Sequence, residues 1–484
     1  MLSHPFDDDK LREECGVFGC IGVKDAANFV ALGLHALQHR GQEAGGIITH
    51  HPESGFHSAH RFGLVRDNFT KAGVIEGLPG EIGIGHVRYS TAGSKGATQI
   101  RDVQPFFGEL AMGGVALAHN GNITNADAIR RELIERGSIF QSSSDSECLI
   151  HLMARSFQKN IPERMKDALR RAEGAFSVVA MTRTKLLGVR DPLGVRPLVL
   201  GRLLDGWVLA SETCALDIIG ADFVREIEPG EMVVISARGV ESTRPFGPQK
   251  SRFCIFEHVY FSRPDSFYGD RSVYETRRQI GVELAREAPV EADMVCPVPD
   301  SGTPAAVGYS QESGIPFALG ITRNQYMGRT FIEPSQQIRS MGVRLKLNVN
   351  RALIRGKRII LVDDSVVRGT TSQKIKEMII EAGAAEVHFR IASPPTAWPC
   401  FYGVDTPNRE NLLAANMTEE DMRAHIGVDS LRFVSLDGLY RAVGESAGRD
   451  PASPQYCDAC FSGEYPVAPQ DMIERGFTPK QAAE

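Results

Sequence analysis

Ile360-Leu361-Val362-Asp363-Asp364-Ser365-Val366-Val367-Arg368-Gly369-Thr370-Thr371-Ser372 places two carboxylates after an apolar run and closes on a glycine followed by hydroxyl side chains. Residue types at this spacing fit a phosphorylated sugar. Backbone N–H groups and hydroxyls in a turn that opens a helix form a concave anion site, suited to a phosphate monoester. Paired carboxylates accept hydrogen bonds from vicinal ribose hydroxyls, and they can help hold a magnesium ion bridging to a pyrophosphate. The plainer reading is an acidic strand end followed by a helix cap. The apolar run, both acids, Arg368 and the hydroxyl-rich turn stand in register, and this favours the binding site.

A second set lies nearer the amino terminus. Cys15-Gly16 follows a polar leader ending Leu11-Arg12-Glu13-Glu14. Cleavage between Glu14 and Cys15 gives the thiol a free α-amine on its own residue, titrating near ~7.7–8.0 and able to serve as base for the side chain. Hydrolysing an amide through a thiolate creates an oxyanion, which needs fixed N–H donors. The side-chain amide of Asn120 and the backbone N–H of Gly121 can supply them. Arg88 suits the α-carboxylate of a free amino acid through paired charge-assisted hydrogen bonds, and Asp145 suits its α-ammonium. Each has a bland alternative. Cys15 reads as a buried strand cysteine, Asn120-Gly121 as a tight turn, Arg88 as a surface ion pair, and Ser144-x-x-Glu147 as a capping box around Asp145.

These groups need elements that carry them. Residues 358–362 are short, β-branched and uninterrupted, as in a strand buried on both faces of a parallel sheet, where ligands bind at the carboxyl edge. Ile375, Met378 and Ile379 recur at helical spacing, so residues 369–372 are expected to be the loop before a helix. Residues 294–299 read as another strand, 300–304 as a turn and 305–310 as a helix start, giving right-handed βαβ units. Pro, Gly and Lys at 245–250 break the pattern after a strand-like run at 232–237. We therefore expect a leader at 1–14, one domain at 15–250 and a second at 251–484.

Composition narrows the class. With 484 residues, 42% hydrophobic and 24% charged, the chain is long enough for two large domains. A net charge of -6 and the lack of a basic tract argue against nucleic acid. No apolar stretch is long enough to cross a bilayer and the acidic start is unlike a signal peptide, so the expected location is the cytoplasm. Nine cysteines in a chain of this size do not make a secreted disulfide scaffold.

The Asp363-Asp364 segment resembles the phosphoribosyl-pyrophosphate (PRPP) motif of type I phosphoribosyltransferases. Cys15, Leu37-Gln38-His39-Arg40-Gly41-Gln42, Gly85-His86-Val87-Arg88-Tyr89-Ser90-Thr91 and Ala118-His119-Asn120-Gly121-Asn122 are similar, in order, to the signatures of class II glutamine amidotransferase domains. The resemblance implies an N-terminal-nucleophile αββα sandwich followed by a domain with a mostly parallel sheet, an α/β chain overall. It makes Cys15 the nucleophile, Asn120 and Gly121 the oxyanion donors, Arg88 and Asp145 the glutamine ligands, and His39, Arg40 and Gly41 scaffold for the pocket. In the second half it assigns Lys346, Asp363, Asp364, Arg368, Gly369, Thr370, Thr371 and Ser372 to PRPP, and Ser301, Asp363 and Asp364 to magnesium.

The pairing of domains resembles the glutamine PRPP amidotransferases, in their iron–sulfur, leader-processed branch. That family makes a sugar amine, 5-phosphoribosylamine, from glutamine, PRPP and water, passing ammonia internally between its sites. Tyr326-Met327-Gly328-Arg329-Thr330-Phe331-Ile332, continuing to Arg344-Leu345-Lys346-Leu347, is similar to its loop closing over PRPP. Cys254, Cys400, Cys457 and Cys460 match its [4Fe–4S] positions, although their spacing alone fits zinc equally. Cys20, Cys148, Cys214 and Cys296 read as ordinary buried cysteines. The resemblance also implies a homo-oligomer, dimer or tetramer, inhibited by purine nucleotides. Two other classes remain open: a base phosphoribosyltransferase with an unrelated first domain, and a PRPP-sensing regulator. A glutaminase assay separates the first, and the missing basic patch weighs against the second.

Overall fold

The computed structural model describes residues 12–13, 15–88, 99–324, 346–406 and 408–480. Seven antiparallel strands form one sheet, in the spatial order Asp222–Glu226, Val199–Leu203, Gly206–Ala210, Cys15–Ile21, Ile82–Arg88, Ala44–His51 and Gly55–Phe62. Six more form a second, in the order Gly239–Thr243, Met232–Ser236, Leu186–Arg190, Gly174–Met181, Gly113–Ile123 and Phe106–Leu110.

Alternation along each strand builds the layers. Val17, Ile48, Ile82 and Ile84 meet Ala116, Ala118, Val179 and Leu186 between the sheets. Phe18, Cys20, Ile47 and Val87 turn outward, under the helix Ala26–Ala36. On the far side, Leu117, Phe176 and Val178 pack on the helices Ala126–Glu135, Glu147–Arg155 and Ile161–Leu169. The result is the helix–sheet–sheet–helix sandwich expected from the sequence.

The second half is built on four parallel strands, in the order Met294–Pro297, Arg358–Asp363, Glu386–Ile391 and Ser430–Phe433. Ile360 and Val362 face Ile280, Leu284, Ala305 and Tyr309 on the helices Val273–Glu287 and Thr303–Ser313. Ile359 and Leu361 face Ile375 and Ile379 on the helix Thr370–Glu381. Both faces are covered, which is why this strand reads as an unbroken apolar run.

The two halves share one apolar cluster, which runs from Ala175, Leu193 and Val195 to Ile255, Phe256 and Val259. Beside it lies a buried charge network. Arg40, Arg196, Glu212 and Glu257 are each 0% exposed. Arg40 pairs with Glu212 and, at 2.7 Å, with Glu257, whose other oxygen is 3.1 Å from Arg196. Burial alone raises the Glu212 carboxyl, but Arg40 and His39 outweigh it and hold this group below the usual carboxylate range.

Candidate active site

Cys15 begins its strand and Arg88 ends the neighbouring one, so antiparallel pairing sets them directly opposite each other. Opposed residues share a face. Because Val17 points between the sheets, Cys15 and Arg88 do too. The loop after the first helix lies against both. A Cβ on Gly41 would stand 2.6 Å from Arg88 N, and one on Gly16 would stand 3.4 Å from Arg40 Cδ. The first is closer than a Cβ comes to backbone, so only glycine fits at 41; the second is ordinary contact.

Asn120 comes from the second sheet, in phase with Ala116 and Ala118, and therefore also points between the sheets. It is 0% exposed, and neither side-chain amide atom finds a hydrogen-bond partner among the described residues. An unpartnered buried amide costs about 1–3 kcal/mol, and a group left so in the space between the sheets is free to meet a ligand. The dipeptide Asn120-Gly121 lies within the strand Gly113–Ile123 and is not a turn. His86, on the Arg88 face, is buried, and desolvation pushes its ring down to about 3 with help from Arg88 and His119. Gly46, the register partner of His86, lies so close to the Gln104 carbonyl that a Cβ would run into it, and Gln104 Oε1 accepts the His119 N–H at 2.7 Å, which sets the Asn120 end of the second sheet at the Cys15 end of the first.

Arg88 donates to the carbonyl of Asp102, whose Oδ1 accepts the Ser143 N–H at 2.8 Å. Two residues on, Asp145 Oδ2 accepts the Ile123 N–H at 2.9 Å. Arg88 and Asp145 thus stand on one rim, tied through Asp102. The Ser144-to-Glu147 capping box does not form: Glu147 instead accepts from Gln141 and Ser142, and the helix begins without a side-chain cap bond. His119, beside Asn120, puts Nδ1 at 2.9 Å from Ser146 Oγ and 3.7 Å from Asp145 Oδ2. Tyr89, Ser90 and Thr91 lie outside the described residues.

At the parallel sheet, Asp363 and Asp364 are 2% and 1% exposed. Asp363 Oδ1 accepts the Asp364 N–H at 2.9 Å and Asp364 Oδ1 accepts from Ser365 Oγ at 2.6 Å. Gly369 holds φ 81° at the start of the helix Thr370–Glu381. Thr370, Thr371 and Ser372 therefore occupy its first turn, not the preceding loop as expected, because the left-handed glycine completes the reversal by itself. Their N–H groups are the ones that no earlier carbonyl of the helix can satisfy. Arg368 is exposed beside this turn. The expected turn at 300–304 is shorter, since the helix already starts at Thr303, and it closes on the acids: a Cβ on Gly302 would lie 3.2 Å from Asp363 Cα. Ser301 is thereby brought to the same edge.

The carbonyl oxygen of Lys346 accepts the Asn324 N–H at 2.9 Å, beside the antiparallel pair of Ile321–Arg323 with Leu347–Val349. Arg323 ties this pair to Asp300 at 2.7 Å. The segment between, with Tyr326, Arg329 and Arg344, lies outside the described residues.

Sequence reasoning missed Arg277. It sits on the apolar stripe of its helix between Val273 and Ile280, which was the available signal. Burial pushes its guanidinium down to about 10, and Asp364 is the largest opposing charge. It donates to the carbonyls of His258, at 2.8 Å, and Ser262, at 2.7 Å.

Four thiols converge elsewhere. Cys254 and Cys457 are register partners in a short parallel pair, and Cys400 and Cys460 pack on the same apolar cluster with Phe256, Phe461 and Tyr402. Burial pushes Cys254 up to about 12, and Cys400 adds to the rise. Cys457 and Cys460 are raised by burial and then by their cysteine neighbours. Among the described residues, no three His, Cys, Asp or Glu side chains form a ready site for one metal ion. Cys20, Cys148, Cys214 and Cys296 are buried separately.

A family model described as a glutamine amidotransferase domain matches residues 89–217, and one described as a phosphoribosyl transferase domain matches residues 276–392. The chain is 55% identical to the amidophosphoribosyltransferase of Rhizobium etli over 96% of this chain and 94% of that one. Against the amidophosphoribosyltransferase of Bacillus subtilis it is 46% identical over 94% and 95%. The solved structure of the B. subtilis glutamine PRPP amidotransferase complexed with ADP and GMP superposes with a TM-score of 0.87 and 45% identity, over 94% of this chain and 98% of that one.

Proposed function

The chain belongs to the amidophosphoribosyltransferases, glutamine-dependent glycosyltransferases of purine biosynthesis, and from that premise we propose how its residues divide the reaction. Similarity spans both halves, so neither a lone base phosphoribosyltransferase nor a PRPP-sensing regulator fits. The observation that carries the assignment is the buried, unpartnered amide of Asn120 at the Cys15 end of the sandwich.

After leader removal, the Cys15 α-amine takes the thiol proton and the thiolate attacks the glutamine amide carbon. The oxyanion forms on Asn120 Nδ2 and Gly121 N–H, while Arg88 and Asp145 hold the α-carboxylate and α-ammonium. Ammonia leaves, and water hydrolyses the thioester to glutamate. Ammonia then attacks the anomeric carbon of PRPP, expelling pyrophosphate and giving 5-phosphoribosylamine. Its passage between the sites runs through the shared apolar seam, because a protonated ammonium has no lone pair for attack.

PRPP lies with its ribose on Asp363 and Asp364 and its phosphate on the turn from Arg368 to Ser372, with Lys346 at the closing loop's base. Two buried acids with Ser301 beside them suit magnesium, which when bound stabilises the departing pyrophosphate charge. The four thiols gather in one apolar shell, and the family resemblance favours a [4Fe–4S] cluster over zinc there. The cluster's role is structural, holding the carboxyl-terminal tail to the body. Inhibition by purine nucleotides, a homo-oligomeric state and a cytoplasmic location complete the proposal. No helix among the described residues is long and apolar enough to cross a membrane.

Two measurements test it. Asn120→Ala is expected to lower glutamine-dependent kcat about 10²–10³-fold, the scale of one oxyanion donor, with ammonia-dependent synthesis unchanged; an unaltered glutamine rate refutes the role. Mass and first-residue analysis of purified protein, with its visible spectrum and iron and sulfide content, is expected to show Cys15 at the chain start and about four of each element. Stoichiometric zinc, or a retained leader with full activity, contradicts it.

A further inference from the structure

The strand bearing Asn120 and Gly121 continues into the helix Ala126–Glu135, and both are held by residues from the far half of the chain. A Cβ on Gly403 would stand 2.9 Å from Gly121 Cα, at a backbone φ of +104° that side chains rarely adopt. The two carbonyls that precede Gly403 are bound as well. Asn122 Nδ2 donates to Phe401 O at 2.9 Å, and Arg196 Nε donates to Tyr402 O at 2.8 Å.

The helix that follows has no cap of its own. Asn125 stands at its N-cap without a side-chain cap bond, its amide engaged by Arg171 O and Glu173 N, both at 3.0 Å. Asp471 fills the vacancy from the tail. Its Oδ2 accepts the Asp127 N–H at 2.8 Å, its Oδ1 the Ala128 N–H at 3.4 Å, and its own N–H donates to Thr124 O at 2.9 Å. Glu474 pairs with Arg131 at 2.8 Å and Arg475 pairs with Asp127. The two segments also hold each other: Val467 N–H donates to Tyr402 Oη at 3.0 Å, and the Phe401 and Phe477 rings stand 4.8 Å apart.

We propose that Gly403 and Asp471 are positioning residues for the oxyanion hole, so that the phosphoribosyltransferase half completes the glutamine site. This rests on the reading of Asn120 and Gly121 given above. Any side chain at 403 pushes on Gly121, and loss of the carboxylate at 471 loosens the helix that anchors the strand. Both act on the transition state, where the oxyanion exists, more than on bound glutamine.

The test measures kcat and KM for glutamine, and the ammonia-dependent rate, in the full-length enzyme. Gly403→Ala is expected to lower glutamine kcat about 10²-fold, as for a displacement near 1 Å, with KM and the ammonia rate little changed. Asp471→Ala is expected to lower it about fivefold to tenfold, and Asp471→Asn to restore it, because asparagine caps as well as aspartate. The Asp471 pair stands even if Gly403→Ala fails to fold. The proposal is overturned if Asp471→Ala matches wild type, if asparagine fails to rescue, or if glutamine and ammonia rates fall together. Asn120→Ala separates the layers: full glutamine turnover there removes the underlying assignment, while its loss beside normal Gly403→Ala and Asp471→Ala removes only this inference.

Discussion

Cys15→Ala is expected to abolish glutamine-dependent synthesis, by on the order of 10⁶-fold, the scale of losing a nucleophile outright. Synthesis from concentrated ammonia at alkaline pH is expected to persist. The reason is spatial. Cys15 starts the central strand of one antiparallel sheet, opposite Arg88, while Asp363 and Asp364 stand at the end of a strand of a separate parallel sheet. Nothing at the second centre needs the thiol once free ammonia is supplied. Glutamate release and phosphoribosylamine formation, measured separately in one preparation, check this. Glutamine turnover surviving in the variant removes Cys15 from its role, and loss of the ammonia reaction shows that the centres are not separable.

The double change Asp363→Asn and Asp364→Asn is expected to remove PRPP-dependent synthesis from both nitrogen sources, by about 10²–10⁴-fold, from two charge-assisted hydrogen bonds at about 1.5–3 kcal/mol each. Asparagine keeps the shape of the buried side chains, so the parallel sheet is expected to stand and circular dichroism to be unchanged. What disappears is negative charge, both toward the ribose hydroxyls and toward Arg277. Unchanged product formation with ammonia leaves no ground for placing the sugar there.

How far these sites were visible in the sequence depended on distance along the chain. Asp363, Asp364 and Gly369 lie within a few residues of one another, and strand alternation places them without any long-range knowledge. Cys15, Arg88 and Asn120 were found through ordered motifs, and the sheet register explains why those motifs belong together: one pairing step sets Cys15 against Arg88. Contacts between distant segments were not legible. Arg40 meets Glu257 across 217 residues, Arg196 meets the Tyr402 carbonyl across 206, and Asp471 reaches Asp127 across 344. No spacing rule connects such pairs, since only the docking of two folded halves creates them. Two local patterns were decided by nearby competition. Ser144 and Glu147 matched a capping box, but Glu147 found stronger partners in the Gln141 and Ser142 N–H groups. Thr370 to Ser372 read as a loop because the apolar helical spacing begins only at Ile375, yet Gly369 lets the helix start before them.

The fully enclosed quartet of Arg40, Arg196, Glu212 and Glu257 has a consequence for how such a chain can change. Its charges cancel only as a set, and exposing any one to an apolar surround by removing its counterpart costs about 3–5 kcal/mol. Natural proteins hold only about 5–15 kcal/mol in reserve. Arg40, Arg196 and Glu212 belong to the first half and Glu257 to the second, so a chimera that joins the first half of this chain to the second half of a relative is expected to stand only where that relative supplies a carboxylate at the Glu257 position. Exchange of single halves thus turns on one carboxylate, the group that meets both arginines across the seam.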